Sequence, residues 1–241
     1  MKTSTKTFFS ILFLATLLSS CNVNMFNRVN GNRNVVTENR NLKEDFTKIR
    51  VSTGLDLYIT QGSKTDITVE ADENLQDIII TEIKDGVLKI YSDKNIWKAK
   101  ARKVYVTLET LEGISATSGS DVYTRGTLKV NDIAISSTSG ADIRMSLDAN
   151  SVTSSATSGS DIEISGTSNN HTSSATSGAS IDAYGLRSKN VTVRVSSGAD
   201  INIYASESIA AKASSGGDID FKGSPKNVTK KSNSGGSISA K

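Results

Sequence analysis

The chain has 241 residues, with 28 Lys and Arg against 25 Asp and Glu for a formal charge of +3, and it is only 5% aromatic. This near balance gives no case for a nucleic-acid partner, and a single histidine with a single cysteine leaves no pair for an internal disulfide or a zinc site. Nucleophilic catalysis would have to use His171, which lies in the polar stretch Ser168-Asn169-Asn170-His171-Thr172 without a nucleophile elbow and is expected to be a solvated loop residue.

Residues 1–20 join Lys2 and Lys6 to an apolar run from Phe8 to Leu18 and end in Ser19-Ser20 before Cys21. That run of eleven residues is too short for the roughly 20 that a membrane helix needs. A charged start, a short apolar core and small residues before cleavage describe a signal peptide. Leu18-Ser19-Ser20-Cys21 resembles the bacterial lipobox, which implies cleavage before Cys21 and a lipid on the residue that becomes the new N-terminus. The lone cysteine is then explained, and the lipid on Cys21 is the expected membrane partner. Cleavage removes Lys2 and Lys6 and no acid, so the formal charge falls from +3 to +1 and gives no case for a polybasic membrane patch. The expected location is the cell envelope, anchored at the outer membrane. No acidic cluster comes after Cys21, which favours the periplasmic side over the cell surface. From Cys21 to Asn41 the chain is rich in asparagine with little apolar periodicity, and residues 21–41 are expected to tether the anchor to the folded unit.

Residues 42–115 show short alternating runs, among them Phe46 to Val51, Leu55 to Ile59, Ile67 to Val69, Ile78 to Ile83, Val87 to Tyr91 and Val104 to Leu108. Asp85-Gly86 predicts a hairpin turn, and Asp72 is expected to cap one helical turn ending near Gln76. This part is predicted to be an irregular β-rich cap on a C-terminal repeat array.

Residues 116–241 repeat a short motif, first seen as Ala116-Thr117-Ser118-Gly119-Ser120-Asp121-Val122. Its glycines, Gly119, Gly140, Gly159, Gly178, Gly198, Gly216 and Gly235, are spaced 21, 19, 19, 20, 18 and 19 residues apart. A nearly fixed period of this size marks a solenoid in which no coil buries its apolar face alone. Alternation with period two, as in Val191, Val193, Val195 and then Ala199, Ile201, Ile203, predicts strands. The chain is therefore expected to be all-β, a parallel β-helix with coils of about 19 residues. Strict alternation also places Ser139, Ser158, Ser177, Ser197 and Ser215 inward, in a waist too narrow for larger side chains. Outward rows remain, Thr117, Thr138, Thr157 and Thr176 on one side of the glycines and Asp121, Asp142, Asp161, Asp200 and Asp218 on the other. These are turn-compatible polar residues first and a candidate flat binding face second. One carboxylate per coil is too few for calcium, which takes six to eight oxygens.

The order of Gly31 to Thr37, Phe46 to Val51, Leu57-Tyr58-Ile59-Thr60-Gln61-Gly62, Glu73-Asn74-Leu75 and Lys84 to Ile90, and then the Ser-Gly-x-Asp coils, resembles the head GIN domain family of auto-transporter adhesins. The resemblance runs from about Gly31 to the end and implies a right-handed fold and an envelope protein, with no catalytic residue to carry over. No metal or cofactor is expected. The repeat spacing leaves no long insertion to wall a catalytic cleft. The expected function is non-enzymatic binding or adhesion to a glycan or a protein. A purely structural envelope module and a polysaccharide-active enzyme are the alternatives.

Overall fold

The computed structural model describes residues 28–241, so the expected signal peptide and the lipidation of Cys21 lie outside the described residues. The elements in chain order are β1 (Arg28–Asn30), β2 (Val35–Asn39), β3 (Lys48–Val51), β4 (Asp56–Gln61), β5 (Asp66–Asp72), a 3-10 helix (Glu73–Ile78), β6 (Ile79–Lys84), β7 (Val87–Ser92), β8 (Asn95–Lys98) and β9 (Arg102–Leu108). The chain continues through β10 (Gly113–Thr117), β11 (Asp121–Thr138), β12 (Asp142–Thr157), β13 (Asp161–Thr176), β14 (Ser180–Val195), β15 (Asp200–Ala213), β16 (Asp218–Lys222), β17 (Asn227–Ser232) and β18 (Ser237–Ala240).

The expected solenoid is present, with parallel coils of about 19 residues stacked through about seven turns. Register between neighbours is direct: Asp142 pairs with Asp161, Ile143 with Ile162 and Thr157 with Thr176. Equal coil length makes this possible, because each inward aliphatic side chain then lies over its counterpart. Ile143, Leu147 and Val152 are fully buried in one coil, and Ile181, Leu186 and Val193 in another. Each such side chain contributes roughly 1.5–3 kcal/mol on leaving water.

The turns correct the inward placement of the motif serines. Ser158 has φ of 57° and Gly159 of 65°, and Ser139, Ser177, Ser197 and Ser215 share the conformation. Two successive left-handed residues make a type I′ turn, so these serines face solvent and no waist exists at them. Strict alternation assumes an unbroken strand. The two-residue turn resets it, and Ala141, Ser160, Ala179 and Ala199 become the next buried positions. A left-handed serine costs about 1–2 kcal/mol, which local bonding offsets. The Gly159 amide donates to the Ser177 carbonyl of the next coil at 3.2 Å, and the Ser158 hydroxyl lies 3.4 Å from that of Thr157. The tight region flanks the turn instead. There the Ser160 hydroxyl donates to the Ser137 carbonyl at 2.8 Å, and the Ser137 hydroxyl to the Ala141 carbonyl at 2.7 Å.

The β-rich N-terminal part holds a coil of the same solenoid. Thr53 and Gly54 have φ of 64° and 71°, the same turn, joining β3 to β4. Strand β3 lies between β10 and β7, and β4 between β11 and β9, all parallel. Antiparallel strands cover this end of the stack: β6 on β7, β5 on β9 and β2 on β5. The hairpin at Asp85-Gly86 forms as expected, with Lys84 opposite Val87.

Two expectations for this end are overturned. Residues from Arg28 are not tether, because β1 pairs with β8 and β2 with β5; the backbone ladder and half-buried Val29, Val35 and Val36 hold a polar sequence in place. Asp72 precedes the 3-10 helix but makes no side-chain cap. It is fully buried, and its carboxylate accepts backbone N–H groups of Arg33 at 2.9 Å, Lys100 at 3.0 Å and Ala101 at 3.0 Å, tying three segments together. Burial pushes its pKa up, but these donors, with the Arg33 charge, outweigh that and hold it below the ordinary value.

Candidate binding faces

The turn edge presents the two predicted rows. Pairing brings Asp56, Asp121, Asp142 and Asp161 into one register, then Ser180, Asp200 and Asp218. Successive members therefore stand about 4.8 Å apart along the stack. Asp56 was not expected in this row. Its signal is Ser52-Thr53-Gly54-Leu55-Asp56, which repeats the motif spacing 65 residues before Gly119, far outside the regular period.

Asp161, Asp200 and Asp218 are exposed, whereas Asp121 and Asp142 are half-buried. Burial raises the pKa of Asp121, and the neighbouring Asp56 and Asp142 charges add to the rise. Asp200 is raised in the same way, by burial and then by Asp218 and Asp220. For Asp56 burial also leads, opposed by Arg102 and Lys103. Arg144 bridges the row to the next column, 3.8 Å from Asp142 and 3.4 Å from Glu163. Thr117, Thr138, Thr157 and Thr176 are half-buried at the opposite flank of the turns. Their hydroxyls lie 3.4 to 3.5 Å from the adjacent turn serines, so part of their bonding capacity serves the turn itself. Among the described residues no group of three or more His, Cys, Asp or Glu is arranged to hold a metal ion.

Two further columns were not singled out in the sequence. Tyr105, Tyr58 and Tyr123 stack with centroids 5.2 and 5.3 Å apart, and the Arg125 guanidinium lies over two of the rings at 4.5 and 5.1 Å. Their faces are occupied by one another, which makes the column a ladder and not a stacking platform for sugars. Another sheet face aligns Arg194, Lys212 and Lys231 beside Ser174 along a surface depression of about 470 Å³.

His171 corrects the sequence reading. It is 1% exposed and sits inward between Val152 and Val191 in register. Its Nε2 lies 2.9 Å from the Ser154 hydroxyl, which donates on to Ser173 at 2.9 Å. Burial lowers its pKa to about 4. Polar neighbours disguised a core position, because in this solenoid every second residue of a polar run points inward.

Together these features define a β-solenoid whose functional groups come as in-register rows on flat faces. Residues 45–225 match the family described as "Putative auto-transporter adhesin, head GIN domain", and the chain belongs to that family. A putative adhesin from Bacteroides fragilis is similar at 26% identity and a TM-score of 0.83, over 88% of this chain and 100% of its own. A putative lipid binding protein from Parabacteroides distasonis shares the fold at 21% identity and 0.73, over 89% and 99%. A putative adhesin from Parabacteroides merdae does so at 20% and 0.70, over 89% and 99%. No curated protein matches the chain. The protein is thus adhesin-like by family and neighbour, and among the described residues no helix is long and apolar enough to cross a membrane.

Proposed function

We propose that the protein is a non-enzymatic envelope lipoprotein, anchored through Cys21 at the outer membrane on its periplasmic side, whose solenoid surface binds a glycan or an envelope protein. The observation that carries this reading is the unbroken register of Asp56, Asp121, Asp142 and Asp161 along the turn edge. Carboxylates fixed about 4.8 Å apart on a rigid stack can accept hydrogen bonds from successive groups of an extended ligand. An acyl chain is a poorer fit, because the interior is filled with aliphatic side chains. The Thr–Ser contacts within the turns favour the second reading, a structural module whose polar edge serves only its own turns.

The test is a glycan array, with capture of envelope proteins in parallel, using residues 22–241 so that β1 and β2 are retained. Saturable binding is expected, lost in Asp121→Ser with Asp142→Ser and Asp161→Ser. Serine already occupies this row at Ser180 and Ser237, so melting should be unchanged. Silence in both assays favours the structural module, and shortening of any polymer favours the enzyme.

A further inference from the structure

Pairing of β1 with β8 gathers residues that are far apart in sequence. Trp97, the chain's only tryptophan, is 54% exposed and is one of two exposed large apolar side chains among the described residues. The Arg28 guanidinium lies over its ring at 4.1 Å. Next to it a depression of about 470 Å³ is lined by Arg33, Lys98, Lys100 and Arg102. Among the described residues none of Arg28, Arg33, Lys98 and Lys100 is in an ion pair. The acids close by are otherwise engaged. The Asp72 carboxylate is buried under backbone donors, and the Glu73 carboxylate accepts the Asn34 side-chain amide at 3.0 Å. Arg102 is half-buried, and its charge acts on Asp56 and Asp121.

We propose that this patch is a membrane-contact surface, with Trp97 seated at the headgroup boundary of an anionic bilayer and Arg28, Arg33, Lys98 and Lys100 on lipid phosphates. Tryptophan has an apolar body with one polar edge and favours that boundary. Cations beside it that stand in no ion pair among the described residues supply the charge complement of an anionic surface. A soluble anion would account for the cations but leave the exposed ring without a role. The contact goes beyond the proposed anchor and does not require it, yet the two fit together. Cys21 precedes Arg28 by seven residues, so an acyl group there lies within about 25 Å of the patch.

The test adds the full chain to vesicles of phosphatidylcholine alone or mixed with phosphatidylglycerol, both carrying brominated acyl chains. All tryptophan emission comes from Trp97, so quenching reads the patch, while co-sedimentation with the neutral vesicles reads any anchor. A blue shift and quenching are expected on anionic vesicles only. Both should disappear in about 0.5 M salt and weaken roughly tenfold or more in Lys98→Glu with Lys100→Glu. Those side chains are exposed and the Lys100 backbone N–H is kept, so the double variant should melt like the parent. Unchanged Trp97 emission on anionic vesicles, or equal quenching on neutral ones, would overturn the proposal. So would the same spectral shift with dextran sulfate in place of vesicles, which would assign the patch to a soluble polyanion.

Discussion

Changing His171 to valine should flatten the acid limb of the stability profile. The Ser154 hydroxyl donates to Ser173, so it must accept from His171, which puts the proton on Nε2. Nδ1 is then a buried acceptor with no partner, and any second proton has to arrive there. The unfolded chain takes up that proton near pH 6.5, the folded chain only near 4. Stability from the neutral ring is therefore whole above pH 6.5 and is lost progressively as the pH falls from 6.5 to about 4. At 1.36 kcal/mol per pH unit this gap amounts to roughly 3 kcal/mol. Valine matches Val152 and Val191 in the same column and leaves Ser154 its bond to Ser173. A small cavity, costing about 1 kcal/mol, would be independent of pH. The raised carboxylates Asp56, Asp121 and Asp200 act with the opposite sign, but equally in both proteins, and cancel in the difference. Urea unfolding tracked by circular dichroism from pH 7 to pH 4 should show the parent losing about 3 kcal/mol more than His171→Val. Parallel profiles would refute the buried neutral imidazole.

Asp72→Ala strands three backbone donors and should cost about 3 kcal/mol or more, read as a lower denaturant midpoint. Its lowered pKa places acid loss of this contribution below the ordinary carboxylate range. Ser158→Leu, which an inward serine would make an overpacking change, should cost no more than Ser158→Ala, because Ser158 is exposed and both lose only the hydroxyl that offsets its left-handed φ of 57°. Ser158→Gly should raise the melting temperature, since glycine accepts a φ of 57° without strain. The melting temperature should be the same in EDTA and in millimolar calcium, and a large calcium-dependent rise would make the Asp row an ion site. Cys21→Ala should move the protein out of the membrane fraction washed in about 0.5 M salt, which removes the Trp97 contact, and unchanged fractionation after that wash would end the anchor reading.

Period and parity were readable because they repeat: Ile143, Ile162, Ile181 and Ile201 announce a strand position that every coil confirms. What failed were single events that the period cannot report. Alternation carried through Ser158 had no means of seeing a two-residue turn. Polarity around His171 suggested solvent, although inward Ser154, Ser168 and Ser173 are just as polar and just as buried. The stretch after Arg28 lacks apolar spacing because its strands are held by backbone bonds and by Asp72. The Trp97 patch was invisible in a nearly neutral composition, because Arg28, Arg33, Lys98 and Lys100 meet only through pairing across some 70 residues.

The position of β3 and β4 in the stack differs from their position in the chain. Residues 48–61 lie between strands drawn from residues 87–108 and from residues 113–138. A chain emerging N-terminus first cannot wind this solenoid as it appears, because the layer formed by residues 48–61 has both its neighbours still to come. That layer gains its first parallel neighbours only with β7 and β9 and its second only with β10 and the start of β11, each across a long loop. Each coil from β12 onward then finds a finished edge to pair with and adds by local zippering. Shortening from the C-terminus should leave a stack that still folds, one layer lower, whereas removing residues 48–61 withdraws the template on which every later coil is laid.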